Sequence, residues 1–76
     1  MFYEPSEKDK KNIDNNFRYH APKEGQAEKY EEIRAQAKAL AEKLISFCPP
    51  SRELSVAITE LETAVMWANA AIARNE

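Results

Sequence analysis

Two consecutive prolines, Pro49 and Pro50, separate two long stretches of helical periodicity, and the second stretch begins at once with Ser51. Proline ends a helix because it has no main-chain N–H and its ring crowds the preceding turn. A link this short makes the flanking helices antiparallel neighbours, an αα-hairpin. The first arm, residues 27–48, places Tyr30, Ile33, Ala37, Leu40 and Leu44 at three-four spacing, with Cys48 reaching the same side. Its other positions, among them Glu28, Glu31, Glu32, Lys38, Glu42 and Lys43, form a solvated face. The second arm, residues 51–75, carries Leu54, Ile58, Leu61, Val65, Ala68 and Ile72 on one stripe, behind a Ser51 N-cap and an early Glu53 that suits the helix dipole.

That stripe does not account for the whole second arm. From Ala64 to Ala73 nearly every residue is apolar or small, including Met66, Trp67, Ala70 and Ala71 off the stripe. A chain of 76 residues has little else with which to cover such a surface. Val65, Met66, Trp67 and Ala70 are therefore expected at a homo-oligomer interface. Met66 and Trp67 read as oligomer or core contacts rather than as base-stacking groups.

The remaining chain, residues 1–17, reads as an N-terminal arm with a short helix, and residues 18–26 as a connector. Pro5 and Ser6 can start the helix, with Glu7 and Asp9 in its first turn. Ile13 and Phe17 are its apolar pair at i, i+4, so it must dock them on something to persist in water. The Asn12, Asp14, Asn15, Asn16 run is expected to fray its end. Pro22 and Gly25 punctuate the connector. The fold class is thus all-α: one domain, an antiparallel hairpin with a short N-terminal helix, assembled as a homo-oligomer.

Several function classes are disfavoured. Cys48 is the sole cysteine and His20 the sole histidine, too few for a disulfide or a zinc site, and no cofactor or metal is expected. Neighbouring carboxylates such as Glu31 and Glu32 point about 100° apart on a helix, so they make no acid–base dyad. Without a nucleophile triad or a phosphate-binding glycine loop, the chain does not read as an enzyme. A net charge of −2 disfavours binding to long nucleic acid, yet a small anionic ligand needs only a few cations in one pocket. No run reaches the roughly 20 apolar residues of a membrane span, and the polar N-terminus does not read as a signal peptide, so the expected compartment is the cytoplasm.

The blocks SREL (51–54) and AVMWANAAIARN (64–75) resemble the C-terminal helix of the phage anti-CBASS and anti-Thoeris hairpin family, and FRYHAP with the following GQ, Y and IR fits as well. The resemblance runs from about Phe17 to Asn75. It implies a small helical sponge that sequesters cyclic di- or trinucleotide messengers without cleaving them, as a hexamer, in the cytoplasm of the infected bacterial host.

Under that resemblance Arg18, Lys23 and Arg52 are the candidate phosphate contacts, with Tyr3 and His20 on bases or sugar edges. Arg52 follows the Ser51 cap, where its guanidinium and free N–H groups can address one phosphate, or it is an ordinary surface arginine. His20 donates to a phosphate or caps a helix end. Tyr19 is expected to plug the hairpin core. Tyr3 is a terminal packing aromatic or swings over a base bound to a neighbouring copy, as the resemblance implies. Asn69 and Arg74, polar on an apolar helix, are candidates for a central polar pocket, although Arg74 also opposes the helix dipole favourably. A protein–protein module docking a host or phage protein through Met66 and Trp67 is the alternative to the sponge.

Overall fold

A computed structural model describes residues 2–76, which are all-helical: α1 spans Glu7–Asn16, α2 spans Gln26–Phe47 and α3 spans Arg52–Asn75. Each helix start has a local cause. Ser6 Oγ accepts from the Asp9 main-chain N–H at 3.0 Å while the Asp9 carboxylate accepts from Ser6 N–H at 3.1 Å, a complete capping box for α1. Ser51 Oγ accepts from Leu54 N–H at 3.1 Å and donates to the Pro49 carbonyl at 3.0 Å, so one hydroxyl both caps α3 and braces the proline link. Gly25 precedes α2 in the left-handed region at φ 84°, where a side chain would be strained. The adjoining Gln26 amide oxygen accepts from Lys23 N–H at 2.9 Å.

α2 and α3 pack along the expected seam. Tyr30, Ile33, Ala37 and Leu44 of α2 and Cys48 just after it are half-buried, as are Leu54, Ile58, Leu61, Val65, Ala68 and Ile72 of α3. Leu40 departs from expectation: it is exposed, and Ala41 holds the seam position instead. The straight helix drifts as it runs, so the step from Ala37 to Ala41 stays on the seam whereas the step to Leu40 turns out onto one open face. Two helices enclose little by themselves. Among the described residues no apolar side chain is fully buried, and the most buried residue is Gln26 at 3% exposure.

α1 lies on the edge of α3 that faces away from α2. Trp67, Ala70, Ala71 and Arg74 line the crevice against α1, and they sit on the side of the helix opposite Leu61, Val65, Ala68 and Ile72. The three helices thus form one layer measuring 49 × 41 × 14 Å, whose thinnest dimension is close to one helix diameter. Its radius of gyration is 17.1 Å, against about 11 Å for a compact chain of this length. Both broad faces are open. Among the described residues, no helix is long and apolar enough to cross a membrane.

Three expectations are corrected here. Ile13 and Phe17 do not dock within the chain, being 55% and 87% exposed, because α1 meets α3 with its asparagines instead. The asparagine run accordingly does not fray but forms the face that touches α3. Tyr19 does not plug the core and is 83% exposed, because α1 holds the start of the connector on the far edge of α3, away from the seam.

Candidate functional site

The polar groups gather at the open end of the hairpin, where α3 ends, α2 begins and α1 docks. Asn15 is the hub. Its side-chain amide donates to the Arg74 main-chain carbonyl at 3.1 Å, its Oδ1 accepts from Arg18 at 3.2 Å, and its own main-chain carbonyl accepts from His20 Nε2 at 2.8 Å. A carbonyl only accepts, so this bond places a proton on Nε2 of His20. His20 therefore caps the end of α1, one of its two expected roles. Arg18 also lies 4.0 Å from Asp14, a mostly exposed pair worth little stability but sufficient to orient the guanidinium.

Beside this hub is a crevice of about 250 Å³ between α1 and α3, lined by Asn12, Asn16, Trp67, Ala70, Arg74 and Asn75 among others. Small residues at Ala70 and Ala71 leave the space. The Arg74 guanidinium carbon sits 5.9 Å from the centroid of the Trp67 ring, a cation–π contact worth roughly 0.5–1 kcal/mol at an exposed site. One wall thus presents a flat ring and a delocalised cation, and the other presents amides with both donors and acceptors. Such a surface can stack a planar group, hydrogen-bond its edge and approach an anion.

Lys23, Gln26 and Lys29 form a second cluster around Glu76. Lys29 Nζ donates to the Glu76 carboxylate at 2.6 Å, the Gln26 amide donates to the same carboxylate at 3.4 Å, and Lys23 Nζ donates to the Glu76 main-chain oxygen. The Lys29 hydrogen bond, with help from Gln26 and the charges of Lys29 and Lys23, outweighs desolvation and holds the Glu76 carboxyl below its ordinary value. Lys23 is therefore engaged in closing the hairpin end in the single chain.

The other expected residues lie elsewhere. Arg52 is exposed at the first position of α3, and among the described residues no carboxylate lies within ion-pair distance of it. The 22 positions from Arg52 to Arg74 at about 1.5 Å each separate them by about 33 Å along the helix. Tyr3 is exposed on the non-helical segment ahead of α1, at the opposite end of that helix from Arg18. Asn69 faces the α2 side of α3, half-buried, and its Oδ1 is buried with no hydrogen-bond partner. One chain thus unites Arg18, His20 and Arg74 around Asn15 but leaves Arg52, Tyr3 and Asn69 apart. Among the described residues, no group of three His, Cys, Asp or Glu side chains is placed to hold a metal.

A family model described as the Acb2/Tad1 hairpin domain matches residues 9–73. The chain belongs to that family. It is the anti-CBASS/anti-Thoeris sponge family, so the resemblance carried by SREL and AVMWANAAIARN is correct, and the match starts eight residues earlier than Phe17. No curated protein and no solved structure matches the chain. Within this Acb2/Tad1 hairpin, Asn15, Arg18, His20, Lys23, Arg52 and Asn69 fall inside the matched range, whereas Tyr3 and Arg74 fall outside it. Sequence reasoning overlooked Asn15. The available signal was that Asn12, Asn15 and Asn16 share one face of a short helix, a pattern of docking amides rather than of a ragged end.

Proposed function

We propose that this protein is a phage immune-evasion sponge that binds cyclic di- or trinucleotide messengers stoichiometrically, without cleaving them, and so silences CBASS-type signalling in the cytoplasm of the infected bacterium. Its family binds rather than cleaves, which supports sequestration over hydrolysis. The observation that carries the reading is the division of its cations. Among the described residues, Arg18 and Arg74 stand at one end of the hairpin and Arg52 stands without an ion-pair partner at the other, on a single layer with no fully buried apolar side chain. A cyclic nucleotide presents two or three phosphates with flat bases between them, and pockets that enclose such ligands are concave. Copies brought together, as a hexamer, join the Arg52 end of one chain to the Arg18 end of another and close such a pocket. Arg18, Lys23 and Arg52 then meet the phosphates, Tyr3 and His20 the bases or sugar edges, and Asn69 and Arg74 a central polar pocket. Lys23 exchanges its Glu76 partner for phosphate in that state.

Native mass spectrometry with a panel of cyclic di- and trinucleotides tests this. A closed oligomer that gains a fixed number of intact ligand masses is expected, and Arg52→Glu should abolish the gain while preserving the oligomer. An oligomer that takes up no cyclic nucleotide refutes the reading.

A second reading has its own observation: Met66 and Trp67 are both exposed, Trp67 at 63%. These residue types are enriched at protein interfaces. If they serve a host or phage protein, the chain stays monomeric, ignores nucleotides and leaves the patch open.

A further inference from the structure

Two apolar surfaces of this chain lack a cover, and they fit each other. The first is the α1 stripe, where Ile13 and Phe17 project one turn apart. They point about a third of a turn away from the asparagines that meet α3. A helix of ten residues has too few internal bonds to persist without docking its apolar face.

The second is a groove of about 300 Å³ along the α2–α3 seam, lined by Ala37 and Ala41 on one side and Leu61, Val65 and Met66 on the other. The alanines create it, because two small side chains one turn apart leave the larger residues of α3 without facing partners. Arg34 and Lys38 stand on its α2 side and Glu62 on its α3 side.

Their dimensions correspond. Ile13 and Phe17 form an i, i+4 ridge, and Ala37 and Ala41 form an i, i+4 gap of the same pitch, about 6 Å. Charge does not oppose the fit: α1 balances Glu7, Asp9 and Asp14 against Lys8, Lys10 and Lys11, and Glu62 accompanies Arg34 and Lys38 at the groove. A chain cannot fill its own groove, because its α1 is held by Asn15 on the edge of α3 that faces away from α2. The area calls for more than one contact. The chain exposes 6659 Å², whereas a compact monomer of its mass exposes about 4,700 Å². That excess of about 1,900 Å² is roughly twice the 800 Å² a partner contributes to a standard interface, enough for one patch that gives and another that receives.

We propose that the Ile13–Phe17 ridge of one copy seats in the Ala37–Ala41 and Leu61–Val65 groove of a second copy, so that α1 is the element that joins chains. The inference deepens the self-assembly in the proposed function and needs no ligand. It also gives Met66 a role at the lip of a heterologous contact rather than in a patch that pairs with itself.

Single-cysteine chains test it. In a Cys48→Ser background, Phe17→Cys is placed in one chain and Met66→Cys in another, and the two are co-refolded and treated with a short bismaleimide. Cross-linked heterodimer should dominate, with little product from either chain alone, and Phe17→Asp should lose the assembled mass while α2 and α3 keep their helical circular dichroism. Equal yields of homo- and heterodimer overturn the proposal. So does an undiminished mass for Phe17→Asp, or a wild-type chain that stays monomeric at high micromolar concentration. None of these readouts involves a nucleotide, so failure of the sponge reading would register separately, in ligand binding by an intact assembly.

Discussion

Asn69→Leu is the substitution whose sign depends most directly on whether the single chain is the functional state. Asn69 Oδ1 is buried beside the hairpin seam with no donor, while the residue as a whole is half-buried. An unpaired buried polar atom costs about 1–3 kcal/mol, and replacing it with an apolar group of the same shape removes that cost. Partial exposure of the residue argues for the low end, about 1 kcal/mol. Unfolding entropy of about 2.1 cal/mol/K per residue, over 76 residues, gives about 160 cal/mol/K, so 1 kcal/mol moves Tm by about 6 °C. For dissociated chains, Asn69→Leu should therefore raise Tm by about that amount. If Asn69 lines the proposed central pocket, the expectation reverses for assembled chains, because a donor from a neighbouring copy or a bound ligand would pair with Oδ1 in wild type and be stranded in the variant. The assay is thermal unfolding by circular dichroism across a protein concentration series, since only the assembled state has a concentration-dependent Tm. A variant that is neutral or destabilised at the dilute limit would refute the claim that the oxygen is unpaired in the single chain. A variant more stable than wild type at every concentration would remove Asn69 from the assembled pocket.

Other expectations follow from single contacts. Ser51→Ala removes the α3 cap and the brace to Pro49, and should cost about 1 kcal/mol, read as a fall in denaturation midpoint with unchanged m-value. The Glu76 carboxyl is held below its ordinary value, so its contribution is complete above that ordinary value and is lost as pH falls through the lower folded value. Glu76→Gln should flatten that part of the acid limb in a pH titration of helicity, and an unchanged limb would show that the Lys29 contact contributes nothing. Trp67 is the single tryptophan and is mostly exposed, so its emission should shift to the blue on assembly and return to the red on dilution. Constant emission across the association range would place Trp67 outside every interface.

Much of this molecule was legible in the order of its residues because the signals are local. A double proline between two three-four stripes makes a hairpin through φ restriction and a missing N–H, whatever lies further away. Ser6 and Ser51 cap their helices through bonds three residues long. The unfinished surface from Ala64 to Ala73 was equally visible, since a stripe on one face says which face remains. The Acb2/Tad1 membership likewise rested on contiguous blocks. What the tertiary structure decided is non-local. Leu40 and Ala41 are both apolar, and only the path of α2 against α3 chose the alanine for the seam, which opened the groove. Tyr19 looked like core filler until α1 docked on the outer edge of α3 and held the connector away from the seam. Asn15, expected to fray with its polar run, is the hub because its amide meets a carbonyl 59 positions away. The separation of Arg52 from Arg74 is likewise a matter of helix length, which converts a list of cations into two ends of a rod that only a second copy can bring together.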